Sequence, residues 1–311
     1  MGKYLVTGGG GFIGSHIVER LVRDGRPVRV LDNFSTGRRE NLAGLEERIE
    51  LMEGDIRRPE DCRRACEGIE VVFHEAALPS VPTSIERPAE THDANVNGTF
   101  NMLMAARDAG CRRLIYAASS SAYGDQPQSP KVESMVPDPM SPYALQKLAG
   151  EYYCRVFWRC WGLETVALRY FNVFGPRQNP HSQYAAAIPA FVTAILRNEP
   201  PTVYGDGEQT RDFTYIDNVV AANLLAAEAP EACGRVINAA CGQSISINAI
   251  IELINAILGR SVRPVYAPRR PGDVRDSLAD IGLARRLLGF EPVVLFEEGL
   301  RRAIAWYRDN L

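Results

Sequence analysis

The sequence predicts a doubly wound α/β fold, a parallel sheet with helices on both faces. Three observations lead there. Short apolar, β-branched runs alternate with stretches of helical spacing through the first half of the chain. Those runs are continuous, as strands buried on both faces are, and do not alternate with polar residues. The 311 residues suit one large domain or two intimate ones, and such a chain buries a sizeable core without disulfides.

The elements follow in order. Tyr4–Thr7 is the first strand, and Ile13, Ile17 and Leu21 lie on one helix face behind a Gly-rich turn. Val28–Asp32 and Ile49–Glu53 are the next strands. Cys62 and Cys66, four apart, fall in a predicted helix before the strand Val71–Phe73. Val96, Phe100, Leu103 and Met104 mark the helix before Leu114–Ala118. Leu145, Leu148, Tyr152 and Val156 mark the helix before Thr165–Tyr170. After about Asn172 the pattern loosens, and 175–211 is rich in Pro, Gly, Asn and Gln. A short helix is expected after Ile216–Asp217, then a strand at Arg235–Ala239 and helices at 246–258, 283–288 and 296–307. There is no internal repeat and no flexible linker.

Composition narrows the function. Hydrophobic residues make up 46% and charged residues 23%, which excludes a disordered or collagenous chain. The net charge of -3 argues against a protein built to grip nucleic acid or anionic membrane. No apolar run reaches the roughly 18 residues of a membrane span, and the N-terminus lacks the apolar core of a signal peptide. The expected location is the cytoplasm. Seven cysteines form no CxxC pair and the four histidines are scattered, so reduced thiols and no metal are expected. Of 35 basic residues, only Lys3, Lys131 and Lys147 are lysine.

Four motifs carry chemistry. The first is Gly8, Gly11 and Gly14, with Phe12 and Ile13 between them, joining strand to helix. Glycine allows the tight turn and lets the backbone approach a pyrophosphate, which the helix N-terminus then receives. The second is Asp32, 24 residues after Gly8, at the end of the second strand. An acid there accepts hydrogen bonds from the ribose hydroxyls and repels a 2′-phosphate, so NAD is favoured over NADP. The following Asn33, Ser35, Thr36 and Gly37 bring no basic residue before Arg38. Asp55 and Ile56, after the third strand, would flank the adenine.

The third motif is Tyr143-Ala144-Leu145-Gln146-Lys147, whose ends share a helix face. A free phenol ionises near pH 10, and a close ammonium stabilises the phenolate. Bringing it to about 7 takes roughly three units, or about 4 kcal/mol. Lys147 is the only lysine after 131 in a chain that otherwise writes arginine, so compact charge is called for there. The fourth motif is Ser119-Ser120-Ser121-Ala122-Tyr123-Gly124 at the end of the fifth strand. Ligands of open α/β sheets bind at such ends. A serine there can bridge a substrate hydroxyl and the Tyr143 phenol.

Together, Gly8–Gly14, Asp32, Ser119 and Tyr143-x-x-x-Lys147 resemble the extended short-chain dehydrogenase/reductase family, essentially end to end. Further stretches are similar to the UDP-hexose 4-epimerases: Arg169 to Gln178, Gly205-Asp206-Gly207 with Arg211-Asp212-Phe213, and Arg269 to Asp273. Asn179-Pro180, Tyr184 to Pro189 and Ser277 to Asp280 resemble the subgroup acting on UDP-N-acetylglucosamine. The resemblance implies a Rossmann domain over 1–174, with 212–240 returning to it. A UDP-sugar cap would span 175–211 and 241–311.

It also implies roles. Tyr143 takes the proton from the sugar 4-hydroxyl while hydride passes from C4 to NAD, Ser119 holds that hydroxyl, and Ser121 supports it. Lys147 binds the nicotinamide ribose and tunes Tyr143. Ala76, Ala77 and Phe171 line the cofactor. The 4-keto sugar swings about its diphosphate and takes hydride back on its other face. Arg211 and Arg270 clamp the diphosphate, with Asn172 beside them, and Tyr204 and Asp273 meet the uridine. Ser277 stands where enzymes restricted to UDP-glucose and UDP-galactose carry tyrosine, and Ala186 where they carry asparagine. Both open space beside C2 for an N-acetyl group, and open space does not exclude a hydroxyl.

There are departures. Ala76-Ala77-Leu78-Pro79 lacks a lysine that some UDP-galactose epimerases place near NAD, as the acetyl-accepting subgroup does. Ala94 replaces an asparagine near the cofactor, so that contact is not carried over.

Ser120, Ser121 and Ala122 replace the Asp-Glu pair a 4,6-dehydratase needs. A UDP-uronic acid 4-epimerase stays open, because a cation for the C6 carboxylate could come from the cap. A non-catalytic NAD-binding scaffold is the other alternative, against which Tyr143, Lys147 and Ser119 argue. A homodimer through helices near 92–110 and 142–161 is implied as well, though their apolar residues could equally be core.

Overall fold

The computed structural model describes residues 2–179, 187–269 and 274–310. Seven strands form the main sheet: β1 (Lys3–Thr7), β2 (Val28–Asp32), β3 (Ile49–Glu53), β4 (Ile69–His74), β5 (Arg113–Ser119), β6 (Glu164–Tyr170) and β7 (Arg235–Ala239). Their order is β7-β6-β5-β4-β1-β2-β3 and every neighbouring pair is parallel. The chain winds outward from β1 through β2 to β3, then crosses back to β4 and continues the other way. The order reverses between β1 and β4, which makes their carboxyl ends the ligand crevice.

Six helices matter to the site: α1 (Phe12–Arg23), α2 (Pro59–Cys66), α3 (Gly98–Asp108), α4 (Pro142–Trp161), α5 (Ile216–Glu228) and α6 (Ile247–Leu258). On one face of the sheet, Ile17, Val18 and Leu21 of α1 meet Val219, Val220 and Ala226 of α5. On the other, Cys62 of α2, Met102 and Leu103 of α3, and Cys154 and Phe157 of α4 close a second core. The first core continues into residues beyond β6 through Ile188, Phe191, Ile250, Ile254 and Ile304.

Two sequence expectations need correction. The helix after Ile216–Asp217 is 13 residues, not short. Its buried face is built from alanine and valine, and two buried asparagines interrupt its apolar pattern. Asn218 takes the Val293 and Val294 N–H groups at 2.7 and 2.9 Å, which ties the C-terminal segment to α5. Segment 175–211 is also less irregular than its composition suggests. It holds a helix at Ala187–Leu196 and strands at Thr202–Tyr204 and Thr210–Asp212. The latter strand pairs antiparallel with Ser244–Ser246 and parallel with Asp276–Ser277. This small sheet sets Ser277 opposite Arg211.

Candidate active site

The carboxyl ends of the strands gather the predicted residues. Gly8 follows β1 at φ +68°, and a Cβ there would lie 2.8 Å from the Ala76 backbone. A Cβ on Gly14 would lie 2.2 Å from the Gly8 carbonyl oxygen. No side chain could be added at Gly8 or Gly14 without moving backbone. Gly11 is the N-cap of α1 and supplies no side-chain cap, so the N–H groups of its first turn face the crevice.

Asp32 ends β2, buried. Its carboxylate accepts the Gly10 N–H at 2.8 Å and the Phe34 N–H at 2.7 Å, one on each oxygen. Burial pushes its pKa up, and those two N–H groups pull it back. Each oxygen keeps a lone pair for a further donor. Gly37 folds back against Gly10, where a Cβ would lie 2.8 Å from its carbonyl carbon. Ser35 and Thr36 are exposed, and Asn33 takes the Ser35 N–H at 3.0 Å. Asn33 also donates to Asp55 at 2.9 Å. The Arg57 guanidinium holds the Asp55 carboxyl down at about 2. Ile56 is buried beneath it. An uncapped helix end, a crowded glycine turn and a buried acid with spare acceptors fit an adenine dinucleotide.

The second half of the crevice is a cavity of about 480 Å³. Phe12, Ile13, Ser119, Ser121, Tyr143, Phe171, Asn172, Arg211 and Ser277 all line it. Local sequence explains how α4 delivers Tyr143. Ser141 caps the helix by accepting the Ala144 N–H at 3.1 Å, and Pro142 sits at its first position. Ser84 accepts the Tyr143 N–H at 3.0 Å. Gly150 lets α4 approach β5, since a Cβ there would strike the Tyr116 ring.

Lys147 lies one turn below Tyr143, and its ammonium donates to the Ala117 carbonyl at 2.8 Å. Burial brings its pKa down to about 8, opposed first by the charge of Glu75. The Tyr143 phenol is pushed up by burial and pulled back by its hydrogen bond with Ser119. Ser119 in turn accepts the Ser121 hydroxyl at 2.8 Å and its N–H at 3.2 Å. With its oxygen doubly engaged as acceptor, Ser119 turns its one proton to the Tyr143 phenol.

Other predicted residues lie apart or do supporting work. Ala76 donates its N–H to Thr7 Oγ1 at 3.2 Å, and Ala77 follows half-buried. Asn172, at φ +37°, spends its amide N–H on the Asp212 carbonyl at 2.8 Å. Arg211 donates to the Thr210, Val274 and Arg275 carbonyls, bracing the chain beside Ser277. Tyr204 lines a separate cavity of about 170 Å³ with Asp206, Gln209, Arg269 and Arg275. Val274 borders both cavities. Ala186, Arg270 and Asp273 lie outside the described residues.

Two residues escaped the sequence reading, and a third, Asp212, was read only as part of a motif. Glu75 follows β4 and accepts the Tyr170 hydroxyl at 2.7 Å, and burial pushes its pKa up to about 7. Its signal was an acid placed directly after a buried strand. Asn95, next to Ala94, accepts the Leu78 N–H at 2.8 Å and donates to Leu78 O at 3.2 Å, fixing the loop after β4. Asp212, fully buried, accepts the N–H groups of Cys241, Gly242 and Ala279 and binds the small sheet to β7.

This fold and site define a class: a parallel dinucleotide-binding sheet with a Ser-Tyr-Lys constellation at its switch point. A family model described as the NAD dependent epimerase/dehydratase family matches residues 4–240, and the chain belongs to that family. It is similar to a UDP-glucose 4-epimerase of Mycolicibacterium smegmatis, 37% identical, covering 99% of each chain. Among solved structures it is similar to a UDP-N-acetylglucosamine 4-epimerase from Methanobrevibacter ruminantium M1, in complex with UDP-N-acetylmuramic acid. That match has a TM-score of 0.96 at 41% identity, over 100% of this chain and 99% of the other. It is also similar to a UDP-glucuronic acid 4-epimerase from Bacillus cereus, solved with NAD and a 4-fluoro UDP-sugar. There the TM-score is 0.93 at 33% identity, over 99% and 100% of the two chains. The cofactor of this chain is NAD, and its reaction class is that of the UDP-sugar 4-epimerases, which are isomerases.

Proposed function

We propose that this chain inverts C4 of UDP-hexoses bearing a 2-acetamido group, interconverting UDP-N-acetylglucosamine and UDP-N-acetylgalactosamine, and also turns over UDP-glucose and UDP-galactose. One observation carries the choice of sugar: Ser277, a small side chain on the wall of the cavity that holds Ser119 and Tyr143. Serine leaves room beside C2, which admits an acetamido group without rejecting a hydroxyl.

In this reading Tyr143 takes the proton of the 4-hydroxyl and later returns it. Ser119 donates to the same oxygen and fixes its direction, with Ser121 behind it. Lys147, pinned on Ala117 O, holds positive charge under the phenol. NAD, when bound, accepts the hydride from C4 and returns it to the opposite face. The turn Gly8–Gly14 receives its pyrophosphate, with Phe12 and Ile13 against it. Asp32 receives its ribose, with Asn33, Ser35, Thr36 and Gly37 around that ribose and Asp55 and Ile56 beside the adenine. Ala76, Ala77 and Phe171 bound the nicotinamide end. Asn172, Arg211 and Arg270 hold the substrate diphosphate, Tyr204 and Asp273 the uridine, and Ala186 the hexose.

The reading includes a homodimer. Leu145, Tyr152, Val156 and Trp161 of α4 and Phe100 of α3 are exposed, an apolar stripe that a second copy would cover. Sedimentation of the purified chain as a monomer at micromolar concentration would remove this part alone.

The test of activity is incubation of the purified protein, without added cofactor, with UDP-N-acetylglucosamine and separately with UDP-glucose. The 4-epimers are resolved chromatographically. Conversion of both is expected. Conversion of UDP-glucose alone overturns the reading of Ser277. Conversion of neither, after NAD is added, overturns this choice of sugars and moves UDP-uronic acids or a non-catalytic scaffold to the front.

A further inference from the structure

The chain's three lysines have three different surroundings. Lys3 pairs with Glu50 at the surface, and Lys147 lies beneath Tyr143. Lys131 takes no part in the reaction described above, yet it is only 4% exposed and lines the same cavity as Ser119, Tyr143 and Ser277.

Its direction is fixed by backbone pairing. Lys131 and Ala279 form a parallel bridge, with Lys131 N–H donating to Leu278 O at 2.7 Å and Asp280 N–H donating to Lys131 O at 2.9 Å. Bridge partners share a face of the pair, and so do residues two apart along a strand. Lys131, Ala279 and Ser277 therefore present their side chains on one face.

An ammonium has three donors. Among the described residues, one hydrogen-bond partner holds it, the Gln126 carbonyl. Burial brings its pKa down, and the charges of Asp125 and Asp276 oppose that. A compact ammonium can hold that carbonyl and still reach a second acceptor in a narrow wall, where a planar guanidinium would not turn. This suits a position written as lysine in a chain that elsewhere uses arginine.

We propose that Lys131 determines sugar specificity by donating a hydrogen bond to the carbonyl oxygen of the 2-acetamido group lodged beside Ser277. This rests on the reading of Ser277 above. Ser277 supplies space, which admits the acetamido group but gives it no advantage. A charged donor in a covered wall gives that advantage, because a 2-hydroxyl sugar is too short to meet it.

The test is steady-state kinetics of the cofactor-loaded enzyme on UDP-N-acetylglucosamine, UDP-glucose and UDP-glucuronate, for wild type and Lys131→Met. Methionine keeps the apolar stem and removes the charge. KM for UDP-N-acetylglucosamine should rise about ten- to a hundredfold, the weight of a hydrogen bond to a charged group. KM for UDP-glucose should stay within about twofold, with kcat little changed for both, as expected for a contact made equally in ground and transition states.

Equal losses on both sugars would make Lys131 a brace for the 125–126 turn and overturn the proposal. So would no change, or a loss confined to UDP-glucuronate, which would assign the ammonium to a carboxylate. If the methionine variant does not fold, Lys131→Gln keeps a donor for the Gln126 carbonyl and must show the same split in smaller measure. Wild type that fails on UDP-N-acetylglucosamine removes both this proposal and the reading beneath it. Wild type active on both sugars, with unselective variants, removes Lys131 alone.

Discussion

Tyr170, the last residue of β6, donates a 2.7 Å hydrogen bond to Glu75, the first residue after β4, across the end of the intervening β5. Asn223 of α5 donates to the same phenol oxygen at 2.8 Å. The chain of donors thus runs from helix to tyrosine to carboxylate, and it ends beside the charge of Lys147. A carboxylate in this enclosure is costly, and its pKa rises to about 7.

The sign of the stability effect follows. An ordinary glutamate titrates near 4.5, so between that value and about 7 the folded chain keeps a proton that the unfolded chain has released. The stability this group contributes is greatest below about 4.5 and falls as pH rises to about 7. Glu75→Gln keeps an acceptor for Tyr170 and removes the titration. Relative to wild type, the variant should gain up to about 2 kcal/mol between pH 5 and 7, read from denaturant melts. Parallel profiles of the two proteins would show that Glu75 stays ionised throughout.

Tyr143→Phe preserves the buried ring and deletes the proton carrier. Epimerisation of every UDP-sugar should fall by at least about a hundredfold, with the melting temperature and retained cofactor unchanged. Turnover near the wild-type rate would mean that another group moves the proton.

Asp32→Ala strips the acceptor from the Gly10 and Phe34 N–H groups. The loop over the glycine turn then loses its anchor, at a cost of about 1–3 kcal/mol for the buried donors left behind. The purified variant should carry much less NAD than wild type, measured by chromatography after acid release. Full cofactor content would show that Asp32 serves the loop alone.

Ser277→Tyr puts an aromatic ring into the cavity wall. Conversion of UDP-N-acetylglucosamine should drop by about a hundredfold or more relative to UDP-glucose. A parallel loss on both sugars would place the serine elsewhere than beside C2.

Much of this architecture is local in origin and so was legible in the chain. β1, β2, β3 and the glycine turn announce themselves because each depends on neighbours within a few residues. Tyr143 and Lys147 share a face through helix spacing alone, and Ser119 falls at a strand end by the same arithmetic. Residues that act through distant partners were harder to see. Arg211 reads as a phosphate clamp from its motif, yet three backbone carbonyls engage its guanidinium. Asn218 reads as an interruption in a helix, yet it secures the 293–294 segment.

The order of residues along the chain was enough to read the parallel sheet, the glycine turn, the acid that ends β2 and the tyrosine-lysine pair. Periodicity, glycine spacing and i,i+4 geometry are properties of adjacent residues. Folding in three dimensions was needed to show that Glu75 meets Tyr170, that Ser119 bonds the buried Tyr143 phenol, and that Lys131 shares a wall with Ser277. Those relations depend on strand order and on bridges between segments up to about 150 residues apart. Burial then sets the charges: a carboxyl or an ammonium takes its pKa from what encloses it, and no local pattern of residues encodes the enclosure.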